Sequence, residues 1–383
     1  MIRAPSVFGE EHAIVAIVER EIMRLGLEAC SAGFDPLVLS CLDDAQPPFS
    51  PIPGRRNLIA RIRGSGTGRS LILNCHLDTV PPGDPSTWDR DAFSGAIVDG
   101  YIHGRGAYDD KAGAVICLGV LKRLSSEPLA GDVIAQFVLE DEITGNGSLL
   151  CLEKHPHADA AIIIDGTRGD RGINEHAGNL KMQLNVSGKP ASVSVSHMGR
   201  NAAEILAHTM LVLKQSVSEL NSSIEPPWTQ FPSPNQLSTI ALNCEETTLT
   251  VPSAASAKLY ATFTPPHTVS SFLDLISAKS REAARQAGAD CAPEINVDFA
   301  AEAVRSKSSA IECVISRAAG RDIAFGPSTG TSDMRHFIRC GIPCVLFGPG
   351  RGYNPHRANE HFELRSLKEM TELLTDVALC WCK

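Results

Sequence analysis

A histidine and an aspartate directly follow one of the most apolar segments of the chain. Residues 71–75 (LILNC) run into His76-Leu77-Asp78. Alternation along an extended segment puts His76 and Asp78 on the same side. A neutral imidazole can bind a metal ion while a carboxylate fixes its other ring nitrogen. Taken alone, however, a histidine beside an aspartate is more often an ordinary surface pair.

Further carboxylates lie at the start of a predicted helix and after two more apolar runs. In GRGAYDDKAG, Asp109 and Asp110 open the helix. Capping and the helix dipole account for Asp110, whereas Asp109 could bridge two cations. The run 133–139 ends in the acidic triplet 140–142 (EDE), and the run AAIII ends in Asp165. A lone carboxylate beside five apolar residues favours a nearby cation.

A second histidine, His356, follows the apolar run 343–348 in GYNPHRANEHF. In open parallel sheets, ligands bind beyond the carboxyl ends of the strands. Five segments therefore supply two imidazoles and three carboxylates to one edge of a sheet. This composition suits two zinc ions, with a shared carboxylate and with one histidine and one further carboxylate for each ion. Magnesium would require fewer imidazoles.

Short apolar runs alternating with amphipathic helices must position these side chains. The predicted strands are 71–75, 133–139, 160–165 and 343–348. The predicted helices are 10–25, 111–124 and one that begins with a capping box at Ser366–Glu369 (SLKE). This alternation indicates an α/β fold with a mostly parallel sheet and helices on both faces.

The middle of the chain has a different pattern. Alternating segments at 180–188, 237–243, 247–251 and 256–264 accompany two helices, one capped by Asn201 and one at about 269–286. This order predicts a smaller α+β domain, residues 178–298, inserted into a catalytic domain of residues 1–177 and 299–383.

Composition excludes several functional classes. The 383 residues are 43% hydrophobic and 21% charged, with a net charge of −9 and no basic block. Nucleic acid or an anionic membrane is therefore not expected as a partner. No segment has the ~20 apolar residues of a membrane span, and the N-terminus has no apolar signal core, so a cytoplasmic protein is expected. The 12 scattered cysteines predict mostly buried free thiols rather than a thiolate zinc site.

Several of these motifs together resemble the dinuclear zinc amidohydrolase and peptidase family. That family includes acetylornithine deacetylase, succinyl-diaminopimelate desuccinylase, aminoacylase and glutamate carboxypeptidase. The resemblance rests on HLD, GRG followed by DDK, LEDEITGNG, GKPASVSVSHMGRNA, GTSDMRHF and IPCVLFGPGRGYNPHRANEHF. It covers the catalytic domain in order and the inserted domain more loosely.

The resemblance implies a zinc-peptidase-like catalytic domain with a lid domain that often mediates dimerisation, and hence a homodimer. It implies two Zn²⁺ ions, for which Co²⁺ or Mn²⁺ could substitute. His76 and Asp165 would hold one ion, Glu142 and His356 the other, and Asp109 would bridge them. Asp78 corresponds to the acid that orients the first histidine.

The resemblance also assigns residues to the substrate. Arg335 corresponds to an arginine that grips a substrate carboxylate, since a planar guanidinium binds carboxylates in a bidentate way. Gly330 and Thr331 would shape the loop beside it. The implied activity is hydrolysis of the amide bond of an N-acyl amino acid or a related small N-acyl amine.

Two positions depart from the family pattern. Relatives carry Glu in the general-base position, where this chain has Asp141, which is one methylene shorter. Asp141 is the expected base, and Glu140 is the alternative. Relatives also carry a histidine that reaches the substrate oxyanion, where this chain has Ser192. Three explanations of Ser192 remain open. The enzyme could use another oxyanion donor such as His197, the chain could be a weak or inactive homologue, or the serine could be an engineered substitution.

Two other functions remain open at this point. A dipeptidase or carboxypeptidase would use the same metal ligands and the same arginine. A homologue that binds an amide without cleaving it is the alternative from another class, suggested by Asp141 and Ser192. The complete ligand set argues against that alternative, because a non-catalytic protein has little need of two metal ions.

Overall fold

A computed structural model describes residues 1–47, 53–155 and 157–383. The described α-helices are α1 (His12–Arg24), α2 (Pro36–Leu39), α3 (Lys111–Leu124), α4 (Asn146–Lys154), α5 (Ala202–Glu219), α6 (Val269–Gln286), α7 (Ser309–Ala319), α8 (Met334–Arg339) and α9 (Leu364–Trp381). The described strands are β1 (Ala29–Gly33), β2 (Arg56–Ile62), β3 (Leu71–His76), β4 (Ala96–Val98), β5 (Tyr101–His103), β6 (Val133–Val138), β7 (Ala160–Ile163), β8 (Arg171–His176), β9 (Gly178–Ser187), β10 (Gln236–Cys244), β11 (Ala254–Phe263), β12 (Glu294–Ala301), β13 (Val304–Arg305), β14 (Ala324–Ser328), β15 (Cys344–Leu346), β16 (Gly352–Tyr353) and β17 (His361–Glu363).

Four parallel strands form the centre of the largest sheet, in the order β6-β3-β7-β15. Every residue of β3, β6 and β7 is buried, as expected for parallel strands that are covered on both faces. Antiparallel neighbours flank this centre: β1 and β2 at one side and β8 at the other. The predicted α/β fold with a mostly parallel sheet is therefore confirmed.

The chain divides into two compact units. The first comprises residues 1–175, 305–326 and 332–383, and the second comprises residues 176–304 and 327–331. The first unit includes a small antiparallel sheet in the order β16-β17-β5-β4. Its pairing of β17 with β5 brings the segment around residue 360 against the segment that leads to Asp109.

The second unit has an antiparallel sheet in the order β10-β11-β9-β12, on which α5 and α6 pack. Its apolar core includes Phe263 stacked on Phe272, with ring centroids 4.8 Å apart. Asn201 caps α5 by accepting from the N–H groups of Ala203 and Glu204, as its sequence predicts. The unit extends past residue 298 because β12 continues to Ala301 in this sheet.

Some local predictions are wrong. Segment 247–251 is not a strand and has only an isolated bridge between Ser192 and Thr250. The capping box at Ser366 does not begin α9, because that helix starts at Leu364 and the Ser366 hydroxyl donates to the Glu363 carboxylate. Six of the twelve free cysteines are exposed rather than buried: Cys30, Cys41, Cys244, Cys291, Cys313 and Cys340. Among the described residues, none of the helices is long and apolar enough to span a membrane.

Candidate metal centre

The ends of three parallel strands bring acidic and imidazole side chains to one edge of the sheet. His76 is the last residue of β3, which lies between β6 and β7. The acidic triplet 140–142 follows β6, and Asp165 follows β7. Because these strands are parallel, their carboxyl ends lie at the same edge, where ligands of open α/β sheets bind.

One carboxylate lies between the two histidines. Asp109 Oδ1 is 2.9 Å from His76 Nε2, and Asp109 Oδ2 is 3.0 Å from His356 Nε2. His356 Nε2 is also 2.9 Å from Glu142 Oε2. Ligand atoms around a tetrahedral zinc ion lie about 3.3 Å apart, given bonds of about 2.0–2.1 Å. The donor atoms therefore already have nearly the spacing that a bound metal ion would require.

His76 also belongs to a second trio. Its ring lies with Asp141 and Asp165 in a group whose ligand atoms are all within 4.8 Å of one another. His76, Asp109 and Glu142 form the other trio by the same measure. The structure thus brings together all five residues predicted to bind metal ions, with Asp141 beside them.

Asp78 contacts this cluster through both its main chain and its carboxylate. The closest contact of His76 Nδ1 is the main-chain oxygen of Asp78, at 3.0 Å, and the Asp78 carboxylate is 3.5 Å away. That carboxylate accepts from the N–H groups of Asp141 and Glu142, at 3.4 and 3.2 Å. Asp78 therefore contacts the imidazole through its main chain and its carboxylate, and the same carboxylate also holds the acidic segment. Its predicted role of orienting His76 stays a prediction.

Sequence reasoning did not single out Glu360, which holds the segment before Asp109. This buried carboxylate accepts hydrogen bonds from Arg105 Nη1 at 2.5 Å and from the N–H groups of Gly106, Tyr108 and Asp109, at 3.0, 2.8 and 3.1 Å. The available signal was the acid four residues after His356. The partners of Glu360 lie more than 250 residues earlier in the sequence, so spacing alone does not reveal them.

The pKa values show how strongly the acids are crowded. Burial raises the pKa of Asp165 to about 7, and the nearby Asp109 adds to the shift. Burial also raises the pKa of Asp141 well above its usual range, with a further contribution from Asp333. Hydrogen bonds to Asp109 and Glu142 raise the pKa of His356 to about 10. A bound cation would offset this concentration of negative charge.

The chemistry of the cluster fits divalent transition metal ions. Within the part of the chain that the structure describes, Glu142 Oε1 is buried and has no hydrogen-bond partner. A buried carboxylate oxygen without a partner is unfavourable, and a metal ion would satisfy it. Two imidazoles with several carboxylates suit zinc better than magnesium, which prefers oxygen ligands.

The three consecutive acids separate into two environments. Asp141 and Glu142 belong to the metal-binding cluster, which comprises the five predicted ligands and Asp141. Glu140 has a left-handed backbone (φ 70°), and its side chain pairs with buried Arg55 at 2.5 Å. Its other carboxylate oxygen accepts from the Thr144 hydroxyl at 2.6 Å. Both oxygens of Glu140 are thus bonded to protein groups.

Arg335 contacts the main chain of the segment that carries these acids. Its guanidinium donates to the main-chain oxygens of Thr144, at 2.7 Å, and of Ser332, at 2.9 Å, and it is 9% exposed. Its expected contact with a substrate carboxylate stays a prediction.

The second unit contains the candidate oxyanion donors Ser192 and His197, and also Gly330, which was predicted to shape the loop beside Arg335. Ser192 Oγ is exposed and 3.0 Å from Ser194 Oγ, and His197 is also exposed. The N–H of Gly330 donates to the Ser328 hydroxyl at 3.0 Å. Their catalytic roles stay predictions.

Comparisons with known proteins give a consistent picture. The model of Peptidase family M20/M25/M40 matches residues 72–379. The chain is 27% identical to the succinyl-diaminopimelate desuccinylase of Gluconacetobacter diazotrophicus, over 97% of this chain and 93% of that protein. It is 24% identical to the N-formyl-4-amino-5-aminomethyl-2-methylpyrimidine deformylase of Bacillus subtilis, over 86% and 84%.

Solved structures share the fold. A tripeptidase from Staphylococcus aureus superposes with a TM-score of 0.78 at 20% identity, covering 100% of this chain and 95% of its own. A metallo-carboxypeptidase from Sulfolobus solfataricus superposes with a TM-score of 0.72 at 20% identity, covering 99% and 97%.

The fold and the cluster of ligands define a metal-dependent hydrolase that acts on amide bonds. The chain belongs to Peptidase family M20/M25/M40, whose model matches most of its length.

Proposed function

We propose that this protein removes the acyl group from a small N-acyl amino acid or a related N-acyl amine, using two zinc ions. The observation that carries the proposal is the position of Asp109, with one carboxylate oxygen facing each of two histidines. The names of two curated relatives, a desuccinylase and a deformylase, also describe the removal of an acyl group.

Each zinc ion would take one imidazole and one unshared carboxylate. His76 and Asp165 would hold the first ion, Glu142 and His356 the second, and Asp109 would bridge them. When bound, two such ions lower the pKa of a shared water and polarise the amide carbonyl. Co²⁺ or Mn²⁺ could substitute, since the ligand set accepts either.

Asp141 would act as the general base. Its position beside His76 and Asp165 places its carboxylate within the cluster, where it can accept the proton of the attacking water. The protonated carboxyl then donates this proton to the leaving amine nitrogen. Burial raises the pKa of Asp141, which favours a group that must hold the proton between the two steps.

The substrate would be held by groups outside the cluster. Arg335 would bind its carboxylate, Gly330 would shape the loop beside Arg335, and Ser192 would lie near the oxyanion. A serine hydroxyl donates a single hydrogen bond and cannot carry positive charge. Loss of one oxyanion donor typically lowers the rate by ~10²–10³-fold, so turnover should be slow unless another donor such as His197 contributes.

A substrate panel with controlled metal content tests the proposal. Metal-free protein is loaded with Zn²⁺, Co²⁺ or Mn²⁺ and assayed on N-acetyl, N-succinyl and N-formyl amino acids beside simple dipeptides. We expect two metal ions per chain and metal-dependent cleavage of at least one N-acyl amino acid. Asp109→Asn should lose both metal ions and activity. Two bound metal ions without cleavage of any amide would contradict the proposal.

The same panel decides the second candidate, a dipeptidase or carboxypeptidase. The matching family is described as a peptidase family, and this description favours the alternative. Cleavage of dipeptides in preference to N-acyl amino acids would establish it, with the same metal ligands and the same base.

We also propose that the second unit serves as a lid and joins two copies into a homodimer in the cytoplasm. In its sheet, β10 is an edge strand that exposes Ile240 and Leu242. Unpaired edges favour pairing with another chain. Light scattering should give the mass of a dimer for the wild type, and Ile240→Lys with Leu242→Lys should give a monomer. An unchanged mass would exclude this interface.

A further inference from the structure

We infer that Glu140 and Arg55 are positioning residues that hold the acidic loop, defined here as residues 139–145 between β6 and α4. The inference rests on the proposed function, because this loop carries Asp141 and Glu142. It gives a role to Glu140, the one acid of the triplet that does not face the metal-binding cluster.

Arg55 is a buried cation held in a fixed plane. Its Nε and Nη2 donate to both carboxylate oxygens of Glu11, at 3.2 and 2.7 Å, and its Nη1 donates to Glu140 at 2.5 Å. The rings of Phe8 and Phe34 lie against the guanidinium, with their centroids 4.5 and 4.7 Å from Cζ. All three charged side chains are at most 2% exposed. Their removal from water makes the pairing geometry strict.

Glu140 closes the acidic loop through both its side chain and its main chain. Its carboxylate accepts from the Thr144 hydroxyl at 2.6 Å and from Asn146 Nδ2 at 3.3 Å. Its main-chain oxygen accepts from the N–H groups of Ile143, Thr144 and Gly145, at 3.2, 2.9 and 2.7 Å. A residue with a side chain rarely adopts its positive φ of 70°, so these contacts must maintain that conformation.

Asn57 ties the start of the loop to the first turn of α4. Its Oδ1 accepts from the N–H of Leu139 at 2.9 Å, and its Nδ2 donates to the main-chain oxygen of Gly147 at 3.1 Å. Asn57 lies two residues after Arg55, so residues 55–57, where the chain enters β2, hold the loop at its start, at Glu140 and just beyond its end. The positions of Asp141 and Glu142 are thereby set by residues that do not contact the reacting atoms.

The test compares Glu140→Gln and Arg55→Lys with matched controls. Glutamine keeps the shape of Glu140 but loses the charge that binds Arg55, and lysine keeps the charge of Arg55 but cannot form the planar contacts. Glu175→Gln is the control for a buried carboxylate, since Glu175 pairs with Arg305 at 2.6 Å. Arg61→Met is the control for β2, since Arg61 pairs with Asp132.

The measurements are Zn²⁺ affinity by competition with a chelator, the visible absorption spectrum of the Co²⁺-loaded protein, and kcat and KM separately. We expect Glu140→Gln to weaken metal affinity by about 10–100-fold, to change the Co²⁺ spectrum, and to lower kcat with little change in KM. Arg55→Met should have the larger effect, and Arg55→Lys should recover part of the loss. Both controls should behave as the wild type.

Two results would overturn the inference. One is an unchanged Co²⁺ spectrum and metal affinity in Glu140→Gln. The other is loss of turnover in Glu140→Gln at full metal affinity while Asp141→Asn stays active, which would make Glu140 the base.

If Arg55→Met does not fold, Asn57→Ala provides an independent disruption of the same loop and should weaken metal affinity as well. Absence of amide hydrolysis by the wild type would refute the proposed function alone, because metal affinity and the Co²⁺ spectrum need no substrate.

Discussion

Replacing Glu360 by glutamine should destabilise the first unit severely. The carboxylate is fully buried and accepts four hydrogen bonds, one of them from the buried guanidinium of Arg105. Glutamine keeps one acceptor oxygen and replaces the other by an amino group, so two of the four donors would face another donor. Whichever way the amide turns, Arg105 loses its charged partner. Removing one member of a buried ion pair costs about 3–5 kcal/mol.

Denaturant unfolding measures this change directly, and thermal unfolding should show a midpoint lower by on the order of 10 °C for a unit of this size. Glu363→Gln is the matched control three residues away. Glu363 pairs with Arg351, whose side chain is 51% exposed, and such a pair contributes about 0–1 kcal/mol. The Glu360→Gln protein should also bind metal more weakly, because Glu360 holds the N–H of Asp109.

The double variant Arg105→Met, Glu360→Gln tests whether the lost stability comes from the unpaired charge of Arg105 or from the changed shape of the side chain at residue 360. With no uncompensated charge left, it should recover part of the stability that Glu360→Gln loses. If Glu360→Gln is no less stable than Glu363→Gln, the reasoning is wrong, and the buried pair does not hold the segment before Asp109.

Three further predictions concern the metal-binding cluster. Asp141→Asn should lower turnover by about 10²–10⁴-fold while metal content, measured by atomic absorption, stays at the wild-type value; a loss of metal would instead make Asp141 a ligand. Metal binding should strengthen at least about tenfold per pH unit between pH 7 and 10, because His356, with its pKa raised to about 10, must lose its proton first, and the nearby carboxylates raise the pKa of His76 as well. Below pH 7 the pH dependence of metal affinity should be steeper, since Asp165, with its pKa raised to about 7, must also be deprotonated. Calorimetry in buffers of different ionisation enthalpy counts the protons released on metal binding. A metal affinity that does not change with pH would contradict the assignment of these ligands. Ser192→His should raise kcat if Ser192 lies at the oxyanion, and a slower variant would point to His197 or another donor.

The buried strands and the metal-binding cluster could be predicted because both leave local signals. Mostly apolar runs at residues 71–75 and 133–139 correspond closely to β3 and β6. Parallel strands then bring the residues that follow them to one edge of the sheet. Five metal-ligand residues at strand ends therefore indicate one site. Helix α3, predicted at residues 111–124, has these bounds in the structure, with Asp110 as its N-cap.

The predictions that failed depend on distant partners. Segment 247–251 alternates like a strand but has only the bridge at Thr250, and β12 was not predicted although it completes the sheet beside β9. Edge strands show weak local preferences because pairing and burial decide them. The role of Glu140 was equally hidden, since its partner Arg55 lies 85 residues away in the sequence.

The wide spacing of the ligands along the chain has a consequence for biosynthesis. His76, Asp109, Glu142 and Asp165 lie in the first half of the sequence, whereas His356 follows nearly two hundred residues later. In the two-ion site proposed above, a chain emerging from the ribosome would therefore have four of the five ligands once residue 165 has been made. The imidazole of His356, and the Glu360 carboxylate that holds the segment before Asp109, would be added only with the last part of the chain, when β17 pairs with β5. Full metal loading would thus report that the last part of the first unit has folded, and the nascent protein would stay inactive until then.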